Sequence, residues 1–175
     1  MKSSLSYTPT LNLKVLAFIF MSLLSFSSQG QDKLSQLLNV HNEHLVPYIS
    51  VNELAMPKTG AIILDARETE EYNVSHIPNA VFVGYNSFEI DNLTNLLTDK
   101  DQKIVVYCTI GIRSENIANK LKKAGYYNVF NLYGGIFEWK NNDLPVLDLN
   151  EQETEKVHTF SREWEKWLKK GKSVN

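Results

Sequence analysis

The sequence predicts an α/β fold: a small parallel sheet of about five strands with helices on both faces, plus an amphipathic helix at the C-terminal end. Two observations predict it. Short runs of β-favouring apolar residues recur along the chain, Ala61-Ile62-Ile63-Leu64 and Ile104-Val105-Val106-Tyr107 among them, and continuous runs of this kind mark strands buried on both faces of a parallel sheet. Stretches with apolar residues at helical spacing lie between those runs, which gives the alternation of a covered parallel sheet.

The elements follow in order. Asp32 to Asn39 carries Leu34, Leu37 and Leu38 at helical spacing, so a short helix is expected in an N-terminal extension over 31–45. Tyr48-Ile49 reads as the first strand. Ser50-Val51-Asn52-Glu53 fits a capping box, in which the serine and the glutamate three residues on satisfy each other's free amides. It opens a helix over Glu53 to Met56 that Pro57 stops. Ala61 to Asp65 is a second strand ending in a carboxylate, Val81 to Val83 a third, Ile104 to Tyr107 a fourth and Asn128 to Leu132 a fifth. Helices are expected over Thr69 to Asn73, Phe88 to Leu97, and Ser114 to Ala124, where Ile117, Ala118, Leu121 and Ala124 share a stripe and Gly125 closes the helix. These elements define a domain over 46–148.

Beyond it, over 149–175, the chain turns Glu-rich and then Lys-rich, and Val157, Phe160, Trp164, Trp167 and Leu168 fall near one helical face. Acids first and bases last suit a helix dipole. The predicted amphipathic helix packs its stripe on the domain or offers it to a protein partner or a second copy.

Composition narrows the function. With 175 residues, 43% of them hydrophobic and 22% charged, the chain has room for one domain with a real core. A formal net charge of −2 lacks the basic excess of a nucleic-acid binder. Residues 1–30 read as an export signal: Lys2 and Lys14 charge its start, Val15 to Leu24 is an uncharged apolar core, and Ser28-Gln29-Gly30 suits cleavage before Gln31. The apolar run reaches only to Phe26, short of the roughly 20 residues of a spanning helix. No cysteine follows it for lipid attachment. The mature protein is therefore expected to be periplasmic or secreted and free of the membrane.

Cys108 is the only cysteine. It stands where the Ile104 to Tyr107 run stops, ahead of a loop containing Gly111 and a helix start. Free amides and the helix dipole at such a place favour a thiolate, the reactive form of cysteine. A packing cysteine is the plain alternative, but it would more naturally lie inside the strand. In an oxidising compartment a lone thiol has no partner to staple to, which again favours reactivity. No metal is expected, because His41, His44, His76 and His158 show no ligand spacing beyond the His41/His44 pair, and no other cofactor is expected either.

Four motifs in order then point to a family. Asp65-Ala66-Arg67 resembles a D-x-R at the end of a second strand, and Glu71 to Ala80 resembles E-[FY]-x-x-G-H-I-x-G-A. Cys108-Thr109-Ile110-Gly111-Ile112-Arg113-Ser114 is similar to a C-x-x-G-x-R-S active loop, and Leu132 to Trp139 to L-x-G-G-x-x-x-W. Together, over about Tyr48 to Val146, they resemble the single-domain rhodaneses, a sulfurtransferase family. Ser75 and Asn79 depart from it, standing where glycine is usual.

The resemblance implies that Cys108 takes a sulfane sulfur from thiosulfate or a persulfide donor and passes it to a thiol or cyanide. The loop residues Thr109, Ile110, Gly111, Ile112, Arg113 and Ser114 would cradle the sulfur, with Asp65 and Arg67 shaping the pocket. Arg113 either grips an anionic donor or ties the loop to a carboxylate such as Glu70 or Glu71. Ser114 is expected as a helix N-cap and His76 as a structural hydrogen-bonding residue. Thr109, Ile110 and Ile112 leave the loop weakly cationic, which predicts a weak preference for thiosulfate or openness to less charged persulfide donors. A non-catalytic rhodanese-like binding or sulfur-carrier module is the alternative. A phosphatase or arsenate reductase fits less well, because those loops place one more residue between cysteine and arginine than the four found here.

Overall fold

The computed structural model describes residues 33–175; the expected export signal over 1–30 lies outside the described residues. Among the described residues, 33–37 fall in one unit and 38–175 in a second. Helix α1 covers 33–41. The later elements all belong to the second unit: β1 (Tyr48–Ile49), α2 (Val51–Leu54), β2 (Ile62–Asp65), α3 (Thr69–Val74), β3 (Val81–Phe82), a 3-10 turn (Ile90–Leu93), β4 (Ile104–Tyr107), α4 (Arg113–Lys123), β5 (Val129–Leu132) and α5 (Gly135–Asn141).

The five strands form one parallel sheet in the order β1-β5-β4-β2-β3. Strand β4 is central and all four of its residues are buried, so both faces of the sheet are covered. On one face Leu64, Ile104, Val106 and Val129 pack with Ile117, Ala118 and Leu121 of α4. Alternation turns Val105 to the opposite face, where it is buried as well. The register sets Asp65 beside Tyr107 and Val106 beside Asn131. Cys108 therefore leaves the sheet at its carboxyl edge, where parallel sheets build sites.

Local chemistry explains the shorter elements. The capping box ahead of α2 is made: the Glu53 amide donates to Ser50 Oγ at 3.2 Å and the Ser50 amide to Glu53 Oε2 at 3.1 Å. Asn79 takes a left-handed φ of 62°, which asparagine tolerates better than most residues. Ser75 has φ −171°, extended backbone that needs no glycine.

Two expected helices are corrected. Phe88 to Leu97 contains only the 3-10 turn Ile90–Leu93. Asp91, Asn92, Thr94 and Asn95 are poor helix formers that compete for backbone groups, as Thr94 Oγ1 does by donating to the Asp91 carbonyl at 3.0 Å. The C-terminal amphipathic helix over 149–175 does not form either. Instead β6 (Val146–Leu147) pairs antiparallel with β7 (Glu153–Thr154), β8 (Lys156–His158) pairs parallel with β9 (Lys172–Val174), and α6 (Arg162–Glu165) is a single turn between the last two strands. Val157 is buried as a strand residue, and Phe160 and Gly171 have positive φ, 63° and 91°, which a helix forbids. Strand β8 packs on α3.

Candidate active site

The loop after β4 curls back over the thiol that starts it. Cys108 is buried, and the Gly111 amide donates to its Sγ at 3.2 Å. Gly111 has φ 104°, and a Cβ there would sit 3.3 Å from the Leu132 carbonyl oxygen, so the turn that aims this amide is open to glycine alone. The Gly111 carbonyl is held outward by two side-chain amides, Asn131 Nδ2 at 2.8 Å and Asn42 Nδ2 at 2.9 Å. Asn42 brings part of the expected N-terminal extension into the site, and Val46 beyond it joins the core.

The following helix supplies the rest. Expected as an N-cap, Ser114 is instead the second residue of α4, whose N-cap is Ile112. The loop reaches helical geometry before Ser114, which frees its hydroxyl for the site. That hydroxyl donates to Asn131 Oδ1 at 2.7 Å and lies 3.5 Å from Cys108 Sγ, so rotating its hydrogen turns the donor onto a thiolate. Burial by itself would raise the Cys108 pKa. The Arg113 charge, the Ser114 hydroxyl and amide, and the Gly111 amide outweigh burial and hold the thiol below its ordinary value.

Arg113 is clamped from below. Its Nη1 and Nη2 each donate at 2.7 Å to a different oxygen of Glu71, and Nη2 also donates to Thr109 Oγ1 at 2.8 Å. Thr109 Oγ1 donates in turn to Glu71 Oε1 at 2.8 Å. Glu70, the other candidate carboxylate, is exposed. Despite burial, which opposes its charge, Glu71 is held below the usual carboxylate range by Arg113 and Arg67. On the far side, α5 receives the loop: the Ile136 and Phe137 amides donate to the Cys108 and Thr109 carbonyls at 3.0 and 3.2 Å. A Cβ on Gly135 would come within 2.2 Å of the Cys108 carbonyl oxygen, which explains the second of the paired glycines of the Leu132 to Trp139 motif.

A pocket of about 100 Å³ opens beside the thiol, lined by Cys108, Thr109, Ile110, Ile112, Arg113, Phe160 and Trp164. Asp65 and Arg67 do not line it. They form a fully buried ion pair at 2.6 Å, to which Tyr107 donates its hydroxyl at 2.5 Å. Arg67 Nη2 also donates to the Ser75 carbonyl at 2.7 Å, so the network ties the ends of β2 and β4 to the turn after α3. In that turn His76 stacks on Tyr72 with ring centres 4.2 Å apart, and its Nε2 lies 3.6 Å from Glu151.

Sequence reasoning missed Asn42, Asn131, Phe160 and Trp164 as site residues. A signal existed for one: Asn131 is a buried polar residue in the otherwise apolar strand run Val129-Phe130-Asn131-Leu132.

Known proteins resemble this chain in sequence and fold. Residues 51–142 match the family described as the rhodanese-like domain. A "tRNA uridine(34) hydroxylase" of Onion yellows phytoplasma is 40% identical over 90 residues, which make up 49% of this chain and 29% of that protein. The chain thus spans under a third of such a relative's length. The solution structure of a rhodanese-like domain from Anabaena sp. superposes with a TM-score of 0.54 at 26% identity, covering 61% of this chain and 82% of that one. A thiosulfate sulfurtransferase from Pseudomonas aeruginosa shares the fold, with a TM-score of 0.56 at 22% identity over 79% of this chain and 26% of that one. The chain belongs to the rhodanese-like domain family.

Proposed function

We propose that this protein is a sulfurtransferase that carries a sulfane sulfur on Cys108. The observation that carries this reading is the pair of donors converging on Cys108 Sγ, namely the Gly111 amide and the Ser114 hydroxyl. They stabilise sulfur that is anionic both as the thiolate and as the persulfide formed from it. In the first half-reaction the thiolate attacks the outer sulfur of thiosulfate. The S–S bond breaks and its electron pair leaves with sulfite, so Cys108 becomes a persulfide anion. In the second, a thiolate or cyanide attacks the sulfane sulfur and the Cys108 thiolate is restored. Neither step needs a separate oxidant or a general base.

Arg113 orients the loop in this reading, because both guanidinium edges that face the loop are taken by Glu71 and Thr109. Its charge is matched by Glu71, so attraction for a dianion rests on the amides. That favours persulfide donors alongside thiosulfate. The reading also has the protein act outside the cytoplasm, supported by the Lys2, Lys14 and Val15 to Leu24 pattern; N-terminal sequencing of the mature chain is expected to begin at Gln31.

The phytoplasma relative's name offers a second reading, hydroxylation of a tRNA uridine, supported by 40% identity over the shared segment. A steady-state assay separates the readings. Thiocyanate formation from cyanide with thiosulfate or a thiol persulfide as donor, without tRNA present, is expected for the wild type and absent in Cys108→Ala. Hydroxylation of a uridine in tRNA with no thiocyanate from either donor would transfer the claim to the second reading, and hydrolysis of an aryl phosphate instead would transfer it to phosphatase chemistry.

A further inference from the structure

The segment between β8 and β9 reaches the Cys108 pocket and supplies two of its walls, Phe160 and Trp164. Phe160 is held at φ 63°, a conformation costly for a bulky side chain unless the surroundings impose it. Core burial is not the reason, because Phe160 is 52% exposed. Its ring lies instead across the Arg113 guanidinium, 4.6 Å from centroid to carbon.

The segment is tethered on both sides of that ring. Strands β8 and β9 pair in register from Lys156↔Lys172 to His158↔Val174, and the Thr159 amide donates to the Val174 carbonyl at 2.9 Å. Strand β8 packs on α3, the helix that carries Glu71. An exposed aromatic ring in strained backbone, fastened to the same helix that anchors the active loop, is a built wall.

Together with Ile110 and Ile112, that wall makes the pocket mainly apolar. The one cation lining it, Arg113, is already paired with Glu71. Such a space suits a single negative charge on sulfur with a carbon body behind it, and it penalises a second charge that would lose its water.

We propose that Phe160 and Trp164 form a specificity subsite selecting sulfane donors with a carbon body, such as organic thiosulfonates and persulfides, over inorganic thiosulfate. The proposal rests on the sulfurtransferase reading. For a thiosulfonate R–SO2–S⁻, the Cys108 thiolate attacks the terminal sulfur, the S–S bond breaks, and the electron pair leaves with the sulfinate R–SO2⁻. Cys108 keeps the sulfur as a persulfide, with no other reactant consumed.

The test compares benzenethiosulfonate with thiosulfate on the full chain, with cyanide as acceptor. The ratio of their kcat/KM values is expected to fall about tenfold in Phe160→Ala and in Trp164→Ala, chiefly through KM for the aryl donor, the scale of a lost apolar contact in a substrate pocket. Trp164→Phe is expected to keep most of it. A ratio changed by less than about twofold in both alanine variants overturns the subsite. A second measurement needs no variant: benzenesulfinate is expected to protect wild-type Cys108 from iodoacetamide at about tenfold lower concentration than methanesulfinate, and equal protection by the two also overturns it. If neither donor leaves sulfur on Cys108, the sulfurtransferase reading itself falls, an outcome distinct from an unchanged ratio.

Discussion

Arg113 and Glu71 meet edge to edge, two nitrogens to two oxygens at 2.7 Å each, across 42 positions of sequence. The pair fastens the loop that begins at Cys108 to helix α3, and Thr109 closes the triangle. Removing the carboxylate leaves a largely buried guanidinium without its partner. Glu71→Ala is therefore expected to cost about 3 kcal/mol of stability, read as a lower urea midpoint, together with loss of sulfur transfer. Arg113→Lys is not expected to restore function, because an ammonium cannot bridge both oxygens. Full activity in either variant contradicts the anchoring role.

The acidity of Cys108 has a readable consequence. Its folded pKa is depressed, so between the folded and unfolded values the folded chain binds fewer protons and stability rises with pH. That contribution is complete above the unfolded thiol pKa and is lost as pH falls through the folded one. Cys108→Ser should flatten the slope. The rate of iodoacetamide alkylation is expected to reach half-maximum below the pH of a free thiol, and Ser114→Ala should move that midpoint upward. A midpoint unmoved by Ser114→Ala would remove its hydroxyl from the set of groups acting on the thiol.

Gly135 is where the fold leaves no room. With φ 54° and a would-be Cβ 2.2 Å from the Cys108 carbonyl oxygen, Gly135→Ala must displace either α5 or the active loop. It is expected to destabilise the protein by about 3 kcal/mol from overpacking and backbone strain, with a matching loss of sulfur transfer, measured by thermal melting and thiocyanate release.

His76 packs in the turn after α3. It is buried against Tyr72 and belongs to the backbone bridge with Leu147. His76→Gln is expected to lower stability by about 1–2 kcal/mol while kcat for sulfur transfer stays within about twofold of the wild type. A collapse of kcat at unchanged stability would make it a participant.

The parts legible in the sequence were those with local causes. The apolar run Ile104 to Tyr107 reports burial on both faces, Ser50 and Glu53 report a cap, and the positions of Cys108 and Gly111 report a loop ahead of a helix. The carboxylate partner of Arg113 could be narrowed to Glu70 or Glu71 by charge, and only the fold, which buries Glu71 and pairs it with Arg113, chooses between them. The C-terminal segment was not legible, since Val157, Phe160, Trp164 and Trp167 keep a helix-like spacing while the last three lie between β8 and β9, from where Phe160 and Trp164 wall the site. Asn42 and Asn131 both hold the Gly111 carbonyl, which only the folded loop presents.

The most direct test is the mass of the intact protein after brief treatment with thiosulfate and removal of excess reagent. The account predicts a gain of one sulfur atom on the wild type, reversed by cyanide with release of thiocyanate, and no gain on Cys108→Ser. No sulfur on the wild type with thiosulfate or a thiol persulfide, or an equal gain on Cys108→Ser, would contradict it.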